Sequence, residues 1–313
     1  MSDSLRALLD CAIDYAGLFP PARLDMAAAV AAFAEYRAGE HAWALGRFVV
    51  PVARLEEFEG AAAPHLAAED EEGTARGGKL APRTAPWRLS AIAGTDPEAD
   101  AAAVLRFNAR HATGQRVDAI VDSVEARAES PADVGRVARA LGGGGTQTFV
   151  ELSAGGDPRP LIEAARACAL RAKVRTGGTT PDAFPAPDDL ARFIVACATD
   201  GLPFKATAGL HHALRGAHRL TYEPVSPSAT MFGFVNVFLA AAFAHDGATE
   251  GDVARLLDEA DPAALSFDDA GAAWRGRAIS TESISRARRE TILSFGSCSF
   301  TEPVEELLAM GLL

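Results

Sequence analysis

Lysine is nearly missing from this chain. Only Lys79, Lys173 and Lys205 occur, against 27 arginines. Arginine stays protonated in proteins, whereas lysine can shed its proton and act as a nucleophile. Each lysine therefore repays locating. Positive charge as a whole is also short: 42 acidic residues face 30 basic ones, a net charge of −12. That balance argues against a general nucleic-acid binder, which needs a basic face to neutralise phosphates. No apolar run reaches the roughly 18 residues of a membrane span. The nearest approach, Met231–Ala244, is too short and carries Asn236. The N-terminus, MSDSLRALLD, lacks a basic segment followed by an apolar one, so no signal peptide is expected. The four cysteines (Cys11, Cys168, Cys197, Cys298) are scattered, with no CxxC, and read as reduced thiols of a cytoplasmic protein.

What is present is strand–helix alternation. β-prone runs fall at Ala12–Phe19, Arg47–Val52, Arg88–Ala93, Val117–Asp122, Thr148–Leu152, Ala172–Arg175 and Pro203–Thr207. The eighth is either Ala264–Asp268 or Thr291–Phe295. Helical stretches lie between them at Met26–Ala38, Pro97–His111, Ala132–Leu141, Pro158–Leu170 and Asp188–Thr199. Repeated βα units make a parallel sheet, and about eight of them favour an α/β closed (β/α)8 TIM barrel. An open doubly wound sheet is the alternative, but no GxGxxG follows the first strand, and Gly142–Gly145 precedes a strand. The whole chain, residues 1–313, reads as one barrel domain. Residues 61–85, with the acidic run Glu69–Glu72 and with Lys79, read as a mobile surface loop. Residues 211–290 read as an insertion between strands 7 and 8 that covers the barrel mouth, from which Asn236 and Trp274-Arg275 are candidates to reach the site.

Active sites of such barrels sit at the C-terminal ends of the strands. Lys173 and Lys205 fall there on consecutive strands, about 4.8 Å apart by strand spacing. Two amines crowded in a poorly hydrated pocket would disfavour protonation, so a depressed pKa and a Schiff-base nucleophile are expected; simple pairing with carboxylates is the bland alternative. Glu151 faces the barrel interior by strand alternation and needs a partner, for which Lys173 on the next strand is suited. Glycines follow both lysines (Gly177, Gly178 and Gly209), and Gly296, Ser297 and Ser299 lie in a third Gly/Ser turn. Together they suggest an anion cup. Arg175 can hold a carboxylate or phosphate bidentately. Asp14 and Tyr15, at the end of the first strand, suit a hydroxylated substrate or a proton transfer, or a loop-fixing cluster. His211 and His212 show no HxH or HExxH spacing, so a proton-transfer or substrate-binding role is expected before a metal site.

Two segments carry a family resemblance. Lys-x-x-Thr-Gly (Lys173, Thr176, Gly177) and Phe-Lys-x-x-x-Gly (Phe204, Lys205, Gly209) are similar to the deoxyribose-phosphate aldolase family, class I aldolases on a TIM barrel. Val117-Asp118, Phe149-Val-Glu-Leu and Phe295-Gly-Ser-Cys-Ser resemble that family's fourth, fifth and eighth strand regions. The resemblance implies that Lys173 forms an imine with the substrate carbonyl and that Lys205 lowers its pKa. It implies that Asp118 relays protons. Strand alternation, apart from the resemblance, makes Glu151 a base or a structural counter-ion. The backbone around Gly177, Gly209, Ser297 and Ser299 would hold a phosphate, and Thr176, Gly178, Thr207 and Gly296 are further candidates for substrate or phosphate binding. Arg175, Leu210-His211-His212, the long insertion and the block from Asp14 to Pro21 depart from the family pattern. The expected activity is a carbon–carbon lyase on a small phosphorylated or carboxylated carbonyl compound, with no cofactor and no metal. An isomerase, a hydrolase or a non-catalytic anion-binding barrel are the alternatives. The expected partner is a small molecule, with no nucleic acid and no membrane; a homo-oligomer is allowed.

Overall fold

The computed structural model describes residues 1–75, 85–113 and 116–313. Eight parallel strands close a barrel. They are β1 (Ile13–Tyr15), β2 (Leu45–Pro51), β3 (Trp87–Ile92), β4 (Ala119–Arg127), β5 (Gln147–Leu152), β6 (Arg171–Arg175), β7 (Phe204–Thr207) and β8 (Ile292–Ser297). Neighbours in sequence are neighbours in space, and β1 pairs with β8. The eighth strand is therefore the later of the two candidates. The earlier one, as Leu265–Phe267, belongs to a small three-stranded antiparallel sheet with Gly271–Trp274 and Arg277–Ser280.

A helix follows each barrel strand: α1 (Met26–Ala38), α2 (Leu55–Ala75), α3 (Pro97–His111), α4 (Pro131–Leu141), α5 (Arg159–Ala167), α6 (Pro187–Asp200), α7 (Phe234–His245) and α8 (Thr301–Ala309). Local signals fix several starts. The side chains of Asp25, Asp96 and Ser130 accept backbone N–H groups at the first turns of α1, α3 and α4. The loop expected at residues 61–85 is corrected by α2, which runs to Ala75. Its alanine- and glutamate-rich composition favours helix over coil. Lys79 lies outside the described residues.

Alternation along the strands sets two environments. In β6, Ala172 and Val174 are fully buried, while Lys173 between them reaches carboxylates on β4 and β5 across the interior. On the outer side of the barrel, Tyr15, Phe33, Phe48, Phe58, Trp87 and Phe107 form a continuous aromatic layer of stacked, tilted and edge-to-face rings. The apolar core thus surrounds the barrel, and much of the interior is left to charged and hydroxyl side chains.

Residues 211–290 lie between β7 and β8 as expected. Only part of them covers the mouth: the hairpin Gly216–Arg219/Ser228–Met231 and its connection bring Leu220 and Met231 to the cavity. Helix α7 is buried on nearly all sides, packed against α6, Glu250–Leu257 and Thr281–Glu290. Asn236 and Trp274-Arg275 do not reach the cavity. The Asn236 amide donates to the carbonyls of Leu256 and Glu259, and Trp274 and Arg275 both donate to the Glu259 carboxylate. Their polarity satisfies a buried corner of the insertion.

Candidate active site

A cavity of about 730 Å³ opens at the C-terminal ends of the strands. Lys173 and Lys205 both line it, at the same level of the barrel, because they are direct register partners on β6 and β7. Glu151 occupies the matching position on β5. The expected pairing is present: Lys173 Nζ lies 2.8 Å from Glu151 Oε2.

The amines do not crowd each other bare. Glu125, from β4, stands between them, with Oε2 at 2.7 Å from Lys173 Nζ and Oε1 at 2.6 Å from Lys205 Nζ. Beneath, Asp14 Oδ2 from β1 lies 2.6 Å from Lys205 Nζ. Above, Arg175 reaches Glu151 at 3.4 Å. The result is an ionic chain of alternating sign: Asp14, Lys205, Glu125, Lys173, Glu151, Arg175. Hydroxyls complete it. Ser294 donates to Asp14 Oδ2 at 2.7 Å, Ser90 donates to Glu125 Oε1 at 2.7 Å, and the Arg47 backbone N–H donates to Asp14 Oδ1 at 2.9 Å. Buried charges persist only when paired and hydrogen-bonded in this way.

At Lys205 this arrangement reverses the expected like-charge depression. Burial alone would strip the proton from Lys205, but the Asp14 and Glu125 carboxylates override it and raise its pKa above the ordinary lysine value. The same balance works on the acids. Burial pushes Glu125 up, yet Lys173 and Lys205 pull it well below the usual carboxylate range. Asp14 is lowered against burial by Lys205 and Arg47, and Glu151 against burial by Lys173, Arg175 and Arg127.

Asp118 is corrected as a site residue. It precedes β4, at the opposite end of the strand from the cavity, and its backbone carbonyl accepts from Trp87. The strand runs on to Arg127, with a register shift opposite Leu89/Ser90, so Glu125 is the β4 carboxylate that arrives mid-barrel. Sequence reasoning ended this strand at Asp122. The signal it missed is the continued β-prone alternation of Ser-Val-Glu-Ala-Arg beyond that point.

The expected phosphate cup is only partly in place. Gly178, Thr207, Gly209 and Gly296 line the cavity. Thr176 is buried beneath, and its hydroxyl donates to the Ala208 carbonyl at 2.6 Å. Gly177 and Gly209 are small for another reason: a Cβ at either would strike the Phe184 ring, at 2.3 and 2.9 Å. Ser297 faces His211, and the Ser299 hydroxyl accepts the Glu302 N–H at the start of α8. These groups therefore fasten loops to one another.

His211 lines the cavity, with Nδ1 at 3.4 Å from Ser297 Oγ, 3.6 Å from Cys298 Sγ and 3.7 Å from a Glu302 carboxylate oxygen. Burial, reinforced by His212, pulls it down to about 4, so it is neutral near pH 7. His212 turns away, pairs with Glu306 and stacks on His218 with ring centroids 3.4 Å apart. No group of three His, Cys, Asp or Glu side chains among the described residues is arranged to hold a metal ion. No helix among them is long and apolar enough to cross a membrane.

The class defined by this architecture is a (β/α)8 TIM barrel, a fold typical of enzymes, with an ionic chain at its C-terminal mouth. No protein-family model matches the sequence, and no curated protein matches it.

Proposed function

We propose that the protein is a carbon–carbon lyase of class I aldolase type, acting on a small carbonyl compound through an imine with Lys173. One observation carries this reading: the Lys173 amine lies on the cavity floor with a carboxylate on each side, at 2.7 and 2.8 Å. An amine must be neutral to attack a carbonyl carbon. Glu151, the more accessible of the two acids, takes the Lys173 proton. It returns that proton to the carbinolamine oxygen as water leaves. The iminium then accepts the electron pair of the adjacent carbon–carbon bond, giving an enamine and a released aldehyde. The proton leaving the substrate hydroxyl in that step passes to Glu151 or to neutral His211. Hydrolysis of the re-protonated imine restores the amine.

Lys205 has a different part from the one its spacing suggested. Held cationic between Asp14 and Glu125, it fixes the Glu125 carboxylate beside Lys173 and keeps that acid ionised.

Borohydride reduction in the presence of a panel of aldehydes and ketones, followed by peptide mass mapping, tests the proposal. A reduced adduct on Lys173 is expected, and Lys173→Arg should abolish it while the far-ultraviolet spectrum is unchanged. An adduct on Lys205 alone, or none with any carbonyl, refutes the assignment.

A further inference from the structure

Arginines gather on one side of the cavity. Arg127 ends β4, Arg136 is on α4 directly after it, and Arg175 ends β6, and all three line the same cavity as the two lysines. On that wall Glu151 is one carboxylate drawn on by three cations, Lys173, Arg175 and Arg127. Arg175 holds it only at 3.4 Å and is 45% exposed, so the guanidinium remains available to a second acceptor. Arg136 is 63% exposed and anchored at its back by Asp133 at 2.7 Å. Cation excess at a concave site in a protein of net charge −12 is a local reversal of the overall field. The opposite wall is apolar, built from Phe19, Pro20, Pro21, Leu220 and Met231. The glycine turns after β6 and β7, where an anion cup was expected, are instead occupied by Phe184.

We infer that the cavity contains an anion subsite at the ends of β4 and β6, formed by Arg127 and Arg175 with Arg136 at its rim. It takes the carboxylate or phosphate of the substrate, and orients the carbonyl toward Lys173 and the apolar remainder toward Phe19 and Met231. This deepens the lyase reading by naming the substrate class and its polarity in the site. Guanidinium groups hold such anions through paired N–H donors.

Calorimetric titration of the full chain with acetate and with inorganic phosphate tests the subsite without requiring an imine. The neutral comparators are acetamide and glycerol. One of the two anions should bind measurably better than both neutral probes, and which one does so identifies carboxylate or phosphate. Its affinity should fall about tenfold in Arg127→Gln and in Arg175→Gln, the loss of one charged hydrogen-bond pair, and should weaken as salt is raised. Arg127 is exposed at a strand end, so its replacement leaves the fold intact and keeps the test interpretable. Equal binding of anions and neutral probes, or binding unchanged in both variants, overturns the inference. Anion binding that persists in a chain giving no borohydride adduct refutes the lyase proposal and leaves the subsite standing.

Discussion

At the scale of single residues, Lys205 is the most constrained cation of the site. It is 1% exposed and bonded to two carboxylates, Asp14 and Glu125, of which Glu125 is shared with Lys173. Lys205→Met keeps the volume but strips Asp14 of its ion-pair partner and leaves Glu125 to Lys173 alone. Removing one partner of a buried ion pair costs roughly 3–5 kcal/mol, far more than an exposed pair. The expected loss, read from urea unfolding, is of that order. Adding Asp14→Asn in the Lys205→Met background should cost less than it does in the native chain, the signature of coupled charges. Equal costs in the two backgrounds would show that the network is not an energetic unit. The scarcity of lysine made Lys173 and Lys205 visible in the sequence. Their shared acid was not, because a glutamate in a run such as Ser-Val-Glu-Ala-Arg has no composition signal, and only strand length and register place it.

At the scale of elements, the barrel strands and the helices between them were legible because short apolar β-prone runs alternate with longer alanine- and leucine-rich stretches. Met26–Ala38 and Pro97–His111 fall where the pattern puts them. Strand β4 was read short, since its apolar run ends at the register shift and only alternating residues, Ser-Val-Glu-Ala-Arg, continue it. Loop packing was not legible either: glycines after β6 and β7 look the same whether they admit an anion or an aromatic ring. Gly209 has φ +76°, and a Cβ there meets Phe184 at 2.9 Å and Gly177 Cα at 3.1 Å. Gly209→Ala should therefore lower stability by about 1–2 kcal/mol from backbone strain, with a further steric cost. Phe184→Leu in the same chain should relieve the clash with the ring only, leaving the backbone strain and the Gly177 contact. Melting temperatures of the single and double variants separate the two. Full rescue would show that the left-handed backbone costs nothing.

At the scale of the whole molecule, the buried titratable groups set the pH range of stability. His211 is neutral when folded, down to about 4, against 6.5 for a free histidine. Between those values the unfolded chain binds more protons, so stability falls as pH drops through that window, by up to roughly 3 kcal/mol from His211. His218, also lowered by burial, acts in the same direction. Asp14, Glu125 and Glu151 are depressed; their contribution is present above the free carboxylate values and is lost below them, as pH falls toward their folded values. Lys205 is raised, so its contribution is complete below 10.5 and fades only as pH rises through its folded value. Denaturation midpoints from pH 4 to pH 9 should fall on the acid side, and His211→Asn should flatten the fall between 6.5 and about 4. An unchanged slope in that variant would exclude His211 as its source.

The ionic chain begins with Asp14, and the hydroxyl that steadies this carboxylate is Ser294, 280 residues later. Strands β1 and β8 are direct neighbours across this long separation in sequence. Asp14, the partner of Lys205 on β1, therefore gains the Ser294 hydroxyl only when β8 closes the barrel beside it. Loosening the seam between β1 and β8 would thus be felt at the ionic chain itself.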